Sequence, residues 1–596
     1  MASKGKNIFN WSFFLVIVSI IVVVNVIGYF VDERFDMTSD KRYSLNESTI
    51  DYLSNKKNFD DRLVFKIYLG GNLPAEVVRL RSAIESKLKE FKRYAGKRIE
   101  YIILDPNVGT KDEQQRLFEN LYNKGNGIIP TGISYTKDGQ TSTMQVWAGA
   151  LLEYGGSTVN NIQFLPGTPE GQFYRLDDNF NKLVQNSINN MEYMLVSAIR
   201  RATTRKKDRI AFLHGHGELE KKQTLRVRNL IAPYYQVDDI TLNDSIDALR
   251  GVKGLVIARP REAFSEKDKY LIDQFLMRGG RLMCFIDKLT LNEDSLNRNG
   301  VTHTERTNLD LDRMLFDYGI KVNDNYVVDA KSAPKYFPPS QNGAIPWYFN
   351  VVATPTSSPI SRNVGGVLLR YCSEVQFVGD SKSVVRTPVL TSSTNSSITG
   401  LAPMVSLMMP SEYGNNPKFN EDPKNEDNKI CLAGMVEGMF TSHFKNRIVN
   451  TFAKAKEINY HDKSIREGKV LVVGNGDFIE SMYDSIPSKF GGYNYRPSKF
   501  NDLKFDKINL YLRGFEYLVY GNQEFFQNMV DYMMGDNSVL DIRSKQIEIH
   551  AIDHAKVETQ AATIKVINMV IPSLLILIMG LIIGYIRKRK YQKIGK

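Results

Sequence analysis

The stretch His214-Gly215-His216-Gly217-Glu218 places two imidazoles and one carboxylate within five consecutive residues. These groups could bind a divalent metal, or serve a hydrolase or amidase together with Asp287. The alternative is a strand-to-helix turn, in which the glycines permit unusual backbone angles and Glu218 complements the N-terminus of the following helix. No other His/Cys/Asp cluster with recognisable ligand spacing accompanies the stretch, which favours the turn. We therefore predict no metal site and no catalytic residue.

The position of this stretch still matters, because it follows an apolar strand. Open α/β sheets bind ligands at the carboxyl ends of their parallel strands. Asp287 also follows such a strand. We therefore take His214, His216, Glu218 and Asp287 as candidate ligand-facing residues.

Three other motifs have an ordinary structural interpretation. Cys284 has Met283 and Phe285 as neighbours in an apolar run, so it is predicted to be a buried small hydrophobe rather than a nucleophile on an exposed elbow. Gly474-Asn475-Gly476-Asp477 lacks the third glycine of a dinucleotide fingerprint and is predicted to be a βα turn. His550 and His554 are assigned to the solvated face of a helix. The sequence also lacks a P-loop, and no cofactor is predicted.

Apolar strands alternating with amphipathic helices surround the candidate residues. Strands are predicted at Ile210–Leu213, Leu255–Ala258 and Arg281–Ile286, and Ser265 with Asp268 caps the helix before the last of them. This alternation predicts a parallel sheet covered on both faces, a flavodoxin-like or Rossmann-like layer over residues 190–330.

The flanking regions are also predicted to be α/β. Residues 32–189 are an N-terminal domain, in which one helix over Ala75–Tyr94 carries apolar residues on one face. Residues 331–550 are a C-terminal region with loop insertions, and 551–565 a juxtamembrane helix.

Both ends of the chain carry long apolar runs without a charged side chain, at Ile8–Val31 and Val566–Ile586. Their length predicts two transmembrane helices, within residues 1–31 and 566–586. A cleaved signal peptide is the alternative for the first and a buried core helix for the second. The basic tail 587–596 then places both termini in the cytoplasm and the large ectodomain on the far side of the membrane.

The net charge of +12 follows the same division. The two predicted cytoplasmic ends hold eight Lys and Arg and no acid. The remaining excess is spread over more than five hundred residues, so it does not indicate nucleic-acid binding. With three cysteines, Cys284, Cys372 and Cys431, at most one disulfide can form, and the sequence does not specify which.

The sequence resembles the GldG family, gliding-motility-associated auxiliary or substrate-binding-like components of an ABC transporter in Bacteroidota. The resemblance rests on the two terminal apolar segments and on these stretches: 34–45, His214 to Glu218, Leu311 to Asp329, and Asn522 through Lys545. It extends over nearly the whole chain.

The resemblance implies a two-pass inner-membrane protein with a periplasmic ectodomain. It also implies that the protein works with a separate ATPase and a permease, linked to gliding and secretion. It also implies that the central domain is similar to glutamine-amidotransferase-like domains, which appear in an intraflagellar transport protein. Because Cys284 departs from the active amidotransferase elbow, no catalytic residue is carried over. The predicted function is a non-catalytic accessory subunit whose ectodomain binds a protein, glycan or other envelope ligand. Two alternatives remain open, an envelope hydrolase or amidase using residues His214 to Glu218, and a transporter-independent glycan- or protein-binding sensor.

Overall fold

A computed structural model describes most of the chain between Ser44 and Gly535. The described ranges are 44–123, 127–137, 140–168, 173–204, 206–243, 245, 247–336, 344–362, 364–379, 382–414, 428–445, 460–488, 491–498, 500–506 and 519–535, with helical residues 16, 18–20, 22, 23, 570–572, 574–586 and 589 nearer the ends. Residues 44–545 form one compact unit, and residues 1–43 with 546–596 are a second.

The helices of the first unit are α1 (Glu47–Ser54), α2 (Ala75–Ala95), α3 (Lys111–Phe118), α4 (Asp178–Asn189), α5 (Met191–Thr203), α6 (Leu225–Ile231), α7 (Glu266–Met277), α8 (Glu293–Asn299), α9 (Asp312–Asp317), α10 (Met409–Gly414) and α11 (Asn522–Met534). Short 3-10 turns cover Gly96–Arg98 and Lys221–Thr224, and a π turn covers Glu119–Asn123.

The strands in the N-terminal part are β1 (Leu63–Ile67), β2 (Ile99–Ile103), β3 (Thr131–Lys137), β4 (Gln140–Val146), β5 (Gly149–Tyr154), β6 (Ser157–Gln163) and β7 (Tyr174–Arg175). Those that follow are β8 (Arg209–His214), β9 (Gln236–Thr241), β10 (Val252–Ala258), β11 (Arg281–Phe285), β12 (Leu289–Leu291), β13 (Val301–Arg306), β14 (Ile320–Val322), β15 (Val327–Asp329), β16 (Lys335–Tyr336), β17 (Ala344–Ile345), β18 (Asn350–Pro355) and β19 (Val367–Arg370). The last are β20 (Val375–Phe377), β21 (Val384–Thr391), β22 (Ser396–Ile398), β23 (Met404–Ser406), β24 (Cys431–Gly438), β25 (Gly468–Val473), β26 (Tyr483–Pro487) and β27 (Tyr493–Pro497).

The N-terminal part is built on a four-stranded sheet of order β2-β1-β5-β6. Helix α2 covers this sheet through one apolar face, formed by Val77, Leu80, Ile84, Leu88 and Phe91, all fully buried. Residues three, four and seven apart share a helix face, so the sequence pattern predicted this packing and the structure confirms it.

A nine-stranded sheet of order β19-β18-β21-β24-β25-β11-β10-β8-β9 organises the rest of the unit. The five strands from β25 to β9 are parallel, as the βα alternation predicted, and Ser265 caps α7 by accepting from the Asp268 N–H. Strand β24 pairs antiparallel with β25 and begins the second half of the sheet. The sheet therefore runs continuously across residue 330, the predicted boundary between the central domain and the C-terminal region.

Helix α11 covers one face of this sheet. Its residues Phe526, Met529, Val530 and Met533 are fully buried, as their spacing predicted. The same helix buries Asp531, whose Oδ1 accepts a hydrogen bond from the Tyr235 hydroxyl at 2.9 Å. Burial raises the pKa of Asp531 to about 6.

The prediction of two transmembrane helices is wrong for the residues that the structure describes, since no helix among them is long and apolar enough to cross a membrane. Most of the first predicted span, the predicted strand Val539–Ile549, the juxtamembrane helix 551–565 and both His550 and His554 lie outside the described residues.

Candidate functional site

A cavity of about 430 Å³ opens at the carboxyl ends of β10, β11 and β25. Each strand delivers polar side chains just beyond its last residue: Arg259 and Arg261 follow β10, Asp287 follows β11, and Asn475 and Asp477 follow β25. Consecutive parallel strands end at the same edge of a sheet, so these five residues converge although they are far apart in sequence. A cavity of this volume accommodates a small organic molecule.

The antiparallel part of the chain also contributes to the lining and supplies aromatic rings. Tyr326 precedes β15, Tyr336 ends β16, Arg370 ends β19 and Tyr371 follows it. Tyr371 adopts a positive φ of 50°, an uncommon conformation for an aromatic residue. Such conformations persist only where the surrounding structure enforces them.

Asp287 is at the centre of a hydrogen-bonded network. Its Oδ1 accepts from the Gly476 N–H at 2.5 Å, and its Oδ2 accepts from the Arg261 guanidinium at 3.1 Å. The side chain is only 12% exposed. Burial, and then repulsion by Asp477, raise the pKa of Asp287. Because Gly476 has no side chain, the two loops can approach closely: a Cβ there would lie 2.9 Å from the Asp287 Cγ.

The side-chain amide of Asn475 is hydrogen-bonded through its nitrogen only. Its Nδ2 donates to Asp477 Oδ1 and to the Arg370 carbonyl, each at 2.8 Å. Its Oδ1 has no hydrogen-bond partner among the described residues, although the residue is only 1% exposed and lines the cavity. An unpaired buried acceptor costs the folded state about 1–3 kcal/mol.

The charges around the cavity balance. The lining residues include four basic side chains and four acidic ones: Arg259, Arg261, Lys335 and Arg370, against Asp287, Glu293, Asp477 and Asp506. Arg261 pairs with Asp287, and Lys335 lies 3.5 Å from Glu293. The cavity is therefore polar yet close to neutral, and it favours a neutral or zwitterionic ligand over a polyanion.

The stretch His214 to Glu218 does not line this cavity. The His216 ring stacks on Phe264 with 3.8 Å between centroids, and its two nitrogens lie 3.1 Å from Glu218 and 3.3 Å from Asp268. Burial lowers the pKa of His216, but hydrogen bonds and attraction from the two carboxylates outweigh burial and raise this pKa. The imidazole and the Glu218 carboxylate thus form their hydrogen bonds within the fold.

His214 is also paired, through its Nε2, with Asp239 Oδ1 at 2.8 Å. Both glycines of the stretch have positive φ, 122° at Gly215 and 73° at Gly217, as a tight turn requires. The described residues contain no group of three His, Cys, Asp or Glu that could hold a metal ion.

The turn nonetheless forms hydrogen bonds with a segment that lines the cavity. The His216 carbonyl accepts from the Arg261 N–H at 2.7 Å and from the Glu262 N–H at 2.9 Å. These bonds fix the segment that presents Arg261 to Asp287. Of the four predicted ligand-facing residues, Asp287 lines the cavity, and His214, His216 and Glu218 do not.

Cys284 is inside β11 and only 1% exposed, as its apolar neighbours predicted. Burial raises its pKa to about 12, so the thiol is neutral at physiological pH. All three cysteines are free thiols.

A comparison with protein families matches residues 207–506, the part that holds the nine-stranded sheet and the cavity, to the family described as an ABC-type uncharacterized transport system. This chain belongs to that family. Residues 39–153 match a domain of unknown function, DUF7088.

Two further comparisons place this ABC transport family member among other proteins. It is 20% identical to an uncharacterized protein of Borreliella burgdorferi over 603 aligned residues, which cover 99% of this chain and 100% of the relative. Among solved structures it matches the mmIFT52 N-terminal domain, with 14% identity, 57% of this chain and 100% of that chain covered, and a TM-score of 0.29.

Membership of the family indicates an accessory role in an ABC transport system and association with such a complex. Sequence reasoning missed the arginines of the site, Arg259, Arg261 and Arg370. The first two follow a predicted parallel strand, so the argument that selected Asp287 would also have selected them. Arg370 reaches the cavity through antiparallel pairing of β19, for which the sequence has no local signal.

Proposed function

We propose that this chain is the ligand-binding accessory subunit of an ABC transporter of the GldG type, working with a separate permease and ATPase. The cavity at the carboxyl ends of β10, β11 and β25 is its binding site. The ligand is a neutral polyhydroxylated molecule, such as a glycan of the cell envelope.

The balanced charge of the polar lining is the observation that carries this choice of ligand. Hydroxyl groups donate hydrogen bonds to the carboxylates of the lining without adding charge. Hydroxyls also accept hydrogen bonds, and the half-buried Arg370 guanidinium lies in the same cavity with no carboxylate within 4 Å among the described side chains. The tyrosine rings offer flat apolar faces for the C–H side of a sugar ring.

Charge balance argues against the two ionic classes of small ligand. A multiply charged anion would meet Asp287, Glu293, Asp477 and Asp506, whereas a polycation would meet the four basic groups. Either would place like charges together in a partly desolvated space. A neutral polar ligand avoids both penalties.

Calorimetric titration of the full chain tests the ligand class. Glucose, N-acetylglucosamine and maltose are the neutral probes, with glucose 6-phosphate and glucosamine as charged counterparts. We expect at least one neutral sugar to bind, and its charged counterpart to bind at least tenfold more weakly. Stronger binding of the phosphorylated sugar, or no binding of any neutral probe, would refute the proposed class.

Asn475→Leu should weaken the binding of the neutral sugar at least tenfold, since it deletes the amide that holds Asp477 and the Arg370 backbone at the cavity. Asn494→Leu, at an exposed position of β27, is the matched control and should leave binding unchanged. If Asn475→Leu fails to fold, as judged by circular dichroism, Arg370→Gln provides the second variant, with at least a tenfold loss expected.

The proposed partners are tested by crosslinking in the native host, followed by purification of this chain in mild detergent. A permease and a P-loop ATPase should be recovered with it. Recovery of this chain alone under every crosslinking condition would refute the transporter assignment and favour an independent sensor. The link to gliding and secretion is tested by deleting the gene and scoring both activities.

A further inference from the structure

A second cavity of about 430 Å³ lies at the amino ends of the same parallel strands. Its lining includes the start of β10 at Val252 and Lys253, Arg281 at the start of β11, and Arg466 just before β25. The C-terminal end of α7, with Phe275 and the residues that follow it, closes the cavity. This site is therefore at the edge of the sheet opposite to the proposed ligand site.

Basic side chains dominate the charge of this cavity. Five basic residues and one acidic residue line it: Arg250, Lys253, Arg278, Arg281 and Arg466, against Glu467. Two carboxylates outside the lining offset part of this excess, because Asp208 lies 2.6 Å from Lys253 and Asp247 lies 3.8 Å from Arg250. A positive excess remains even when both are counted.

Arg278 and Arg466 are the uncommitted cations. Both are exposed, and neither has a carboxylate within 4 Å in the described part of the chain. Arg281 differs, since it is half-buried and donates to the carbonyls of Met533, Gly279 and Glu467. Arg278 and Arg466 are therefore the groups available to an incoming anion.

The carbonyl groups at the C-terminal end of α7 are hydrogen-bonded, so they do not oppose the attraction of the arginines for an anion. A helix C-terminus normally carries unsatisfied carbonyls that repel anions. Here the Leu276 carbonyl accepts from the Gly279 N–H at 2.9 Å, and the Met277 carbonyl accepts from the Ile465 N–H at 2.9 Å. Gly279 has a φ of 88°, and a Cβ there would lie 2.8 Å from the Arg466 Cβ, so glycine permits the close approach of the Arg466 segment.

Apolar side chains form the other part of the lining. Leu249, Val252, Leu271 and Phe275 face the cavity together with Tyr270. A free inorganic anion would make no contact with these apolar side chains, whereas a purely apolar ligand would form no ion pair with the guanidinium groups. The lining fits a molecule that has both parts.

From these observations we infer that the cavity binds a small amphiphilic anion, a phosphate or carboxylate group on an apolar body. The anionic group pairs with Arg278 and Arg466, whose planar guanidinium groups match two oxygens of a phosphate or carboxylate. The apolar body packs on Leu271 and Phe275. The volume holds a single molecule of this kind.

Calorimetric titration of the full chain with three probes tests the inference. Octyl phosphate carries both parts, inorganic phosphate carries the anion alone, and octylamine carries the same apolar body with a positive charge. All are used below the concentration at which they aggregate. We expect octyl phosphate to bind at least tenfold more tightly than either of the others. Equal binding of octylamine, binding of inorganic phosphate as tight as that of octyl phosphate, or no binding of octyl phosphate would overturn the inference.

A double variant, Arg278→Gln with Arg466→Gln, locates the site. Octyl phosphate should bind at least tenfold more weakly to it, because both uncommitted cations are gone. Arg93→Gln, an exposed arginine on α2, is the matched control and should bind as the unchanged chain does. Unchanged affinity in the double variant would overturn the assignment. These probes are not sugars, so failure of the glycan proposal leaves this test intact.

Discussion

Removing the charge of Asp531 should stabilise the folded chain at neutral pH. Asp531 is only 2% exposed on α11, its Oδ1 accepts from the Tyr235 hydroxyl, and its Oδ2 has no hydrogen-bond partner among the described residues. The nearest opposite charge, Arg200, lies 4.0 Å away. Asp531→Asn preserves the volume and an acceptor for Tyr235 while it removes the buried charge.

The size of the effect follows from the pKa. Burial raises the pKa of Asp531 from 3.8 to about 6. A tenfold change in acidity is worth about 1.4 kcal/mol, so the ionised carboxylate costs the folded state about 3 kcal/mol at pH 7.5. The new amide group will be incompletely paired, which lowers the expected net gain to about 1–3 kcal/mol.

The pH dependence has a definite sign. Below pH 3.8 the carboxyl is protonated in both folded and unfolded chains, so Asp531 contributes no difference. As pH rises toward 6, the unfolded chain releases this proton first, and the folded chain loses stability. The advantage of Asp531→Asn should therefore grow between pH 4 and pH 7 and then remain constant.

Urea denaturation followed by circular dichroism at pH 4.5 and pH 7.5 measures this advantage, as the shift in midpoint multiplied by the slope of the transition. Asp51→Asn, at an exposed position of α1, is the control and should change the free energy of unfolding by less than about 0.5 kcal/mol at either pH. A variant that is less stable than the unchanged chain at pH 7.5, or an advantage that does not depend on pH, would refute the reasoning.

Three further predictions concern the turn, the sheet and the thiols. His216→Leu should destabilise the fold by about 2 kcal/mol, and by more at pH 5.5 than at pH 8.5. The pKa of His216 is raised in the folded chain, so its charge contributes stability that is fully present below pH 6.5 and is lost as pH rises through the folded pKa. Urea midpoints at both pH values measure this difference, and a destabilisation that grows with pH would contradict the prediction. Gly474→Ala should destabilise by about 2–3 kcal/mol in the same assay, since its Cβ would lie 2.1 Å from the Ser373 carbonyl oxygen, whereas Gly400→Ala meets open space and should be neutral. Cys284 should react with a thiol reagent only after unfolding, and mass spectrometry of labelled peptides would detect any earlier reaction.

The local elements could be predicted from the sequence because their signals are local. Parallel strands buried on both faces appear in the sequence as short apolar runs. For that reason β8 and β11 were predicted to within one residue at each end, and β10 to within three. The face of α2 and the cap at Ser265 follow equally from spacing. The sequence also indicated where in the sheet to search for a site, through the carboxyl-end rule that selected Asp287.

The assembly of the site was not predictable in the same way. Tyr371 and Arg370 enter the cavity because β19 pairs with β18 at the far edge of the sheet, a contact decided by long-range packing. His216 was a candidate ligand-facing residue in the sequence. In the structure its ring stacks on Phe264 and lies beside Asp268, so it forms contacts inside the fold. Apolar periodicity does not specify whether a polar residue ends in a cavity or in an ion pair behind it.

The central position of β25 has a consequence for biosynthesis. β11 ends at Phe285, but its neighbour in the sheet begins only at Gly468, about 180 residues later. At about 5–20 residues per second, a ribosome needs roughly 10–40 s to supply it. Throughout that interval the nascent chain carries an apolar strand with an unpaired edge, which is a template for aggregation. We therefore expect the growing chain to depend on chaperones until β25 has been made. A fragment cut near residue 330 would keep that exposed edge permanently.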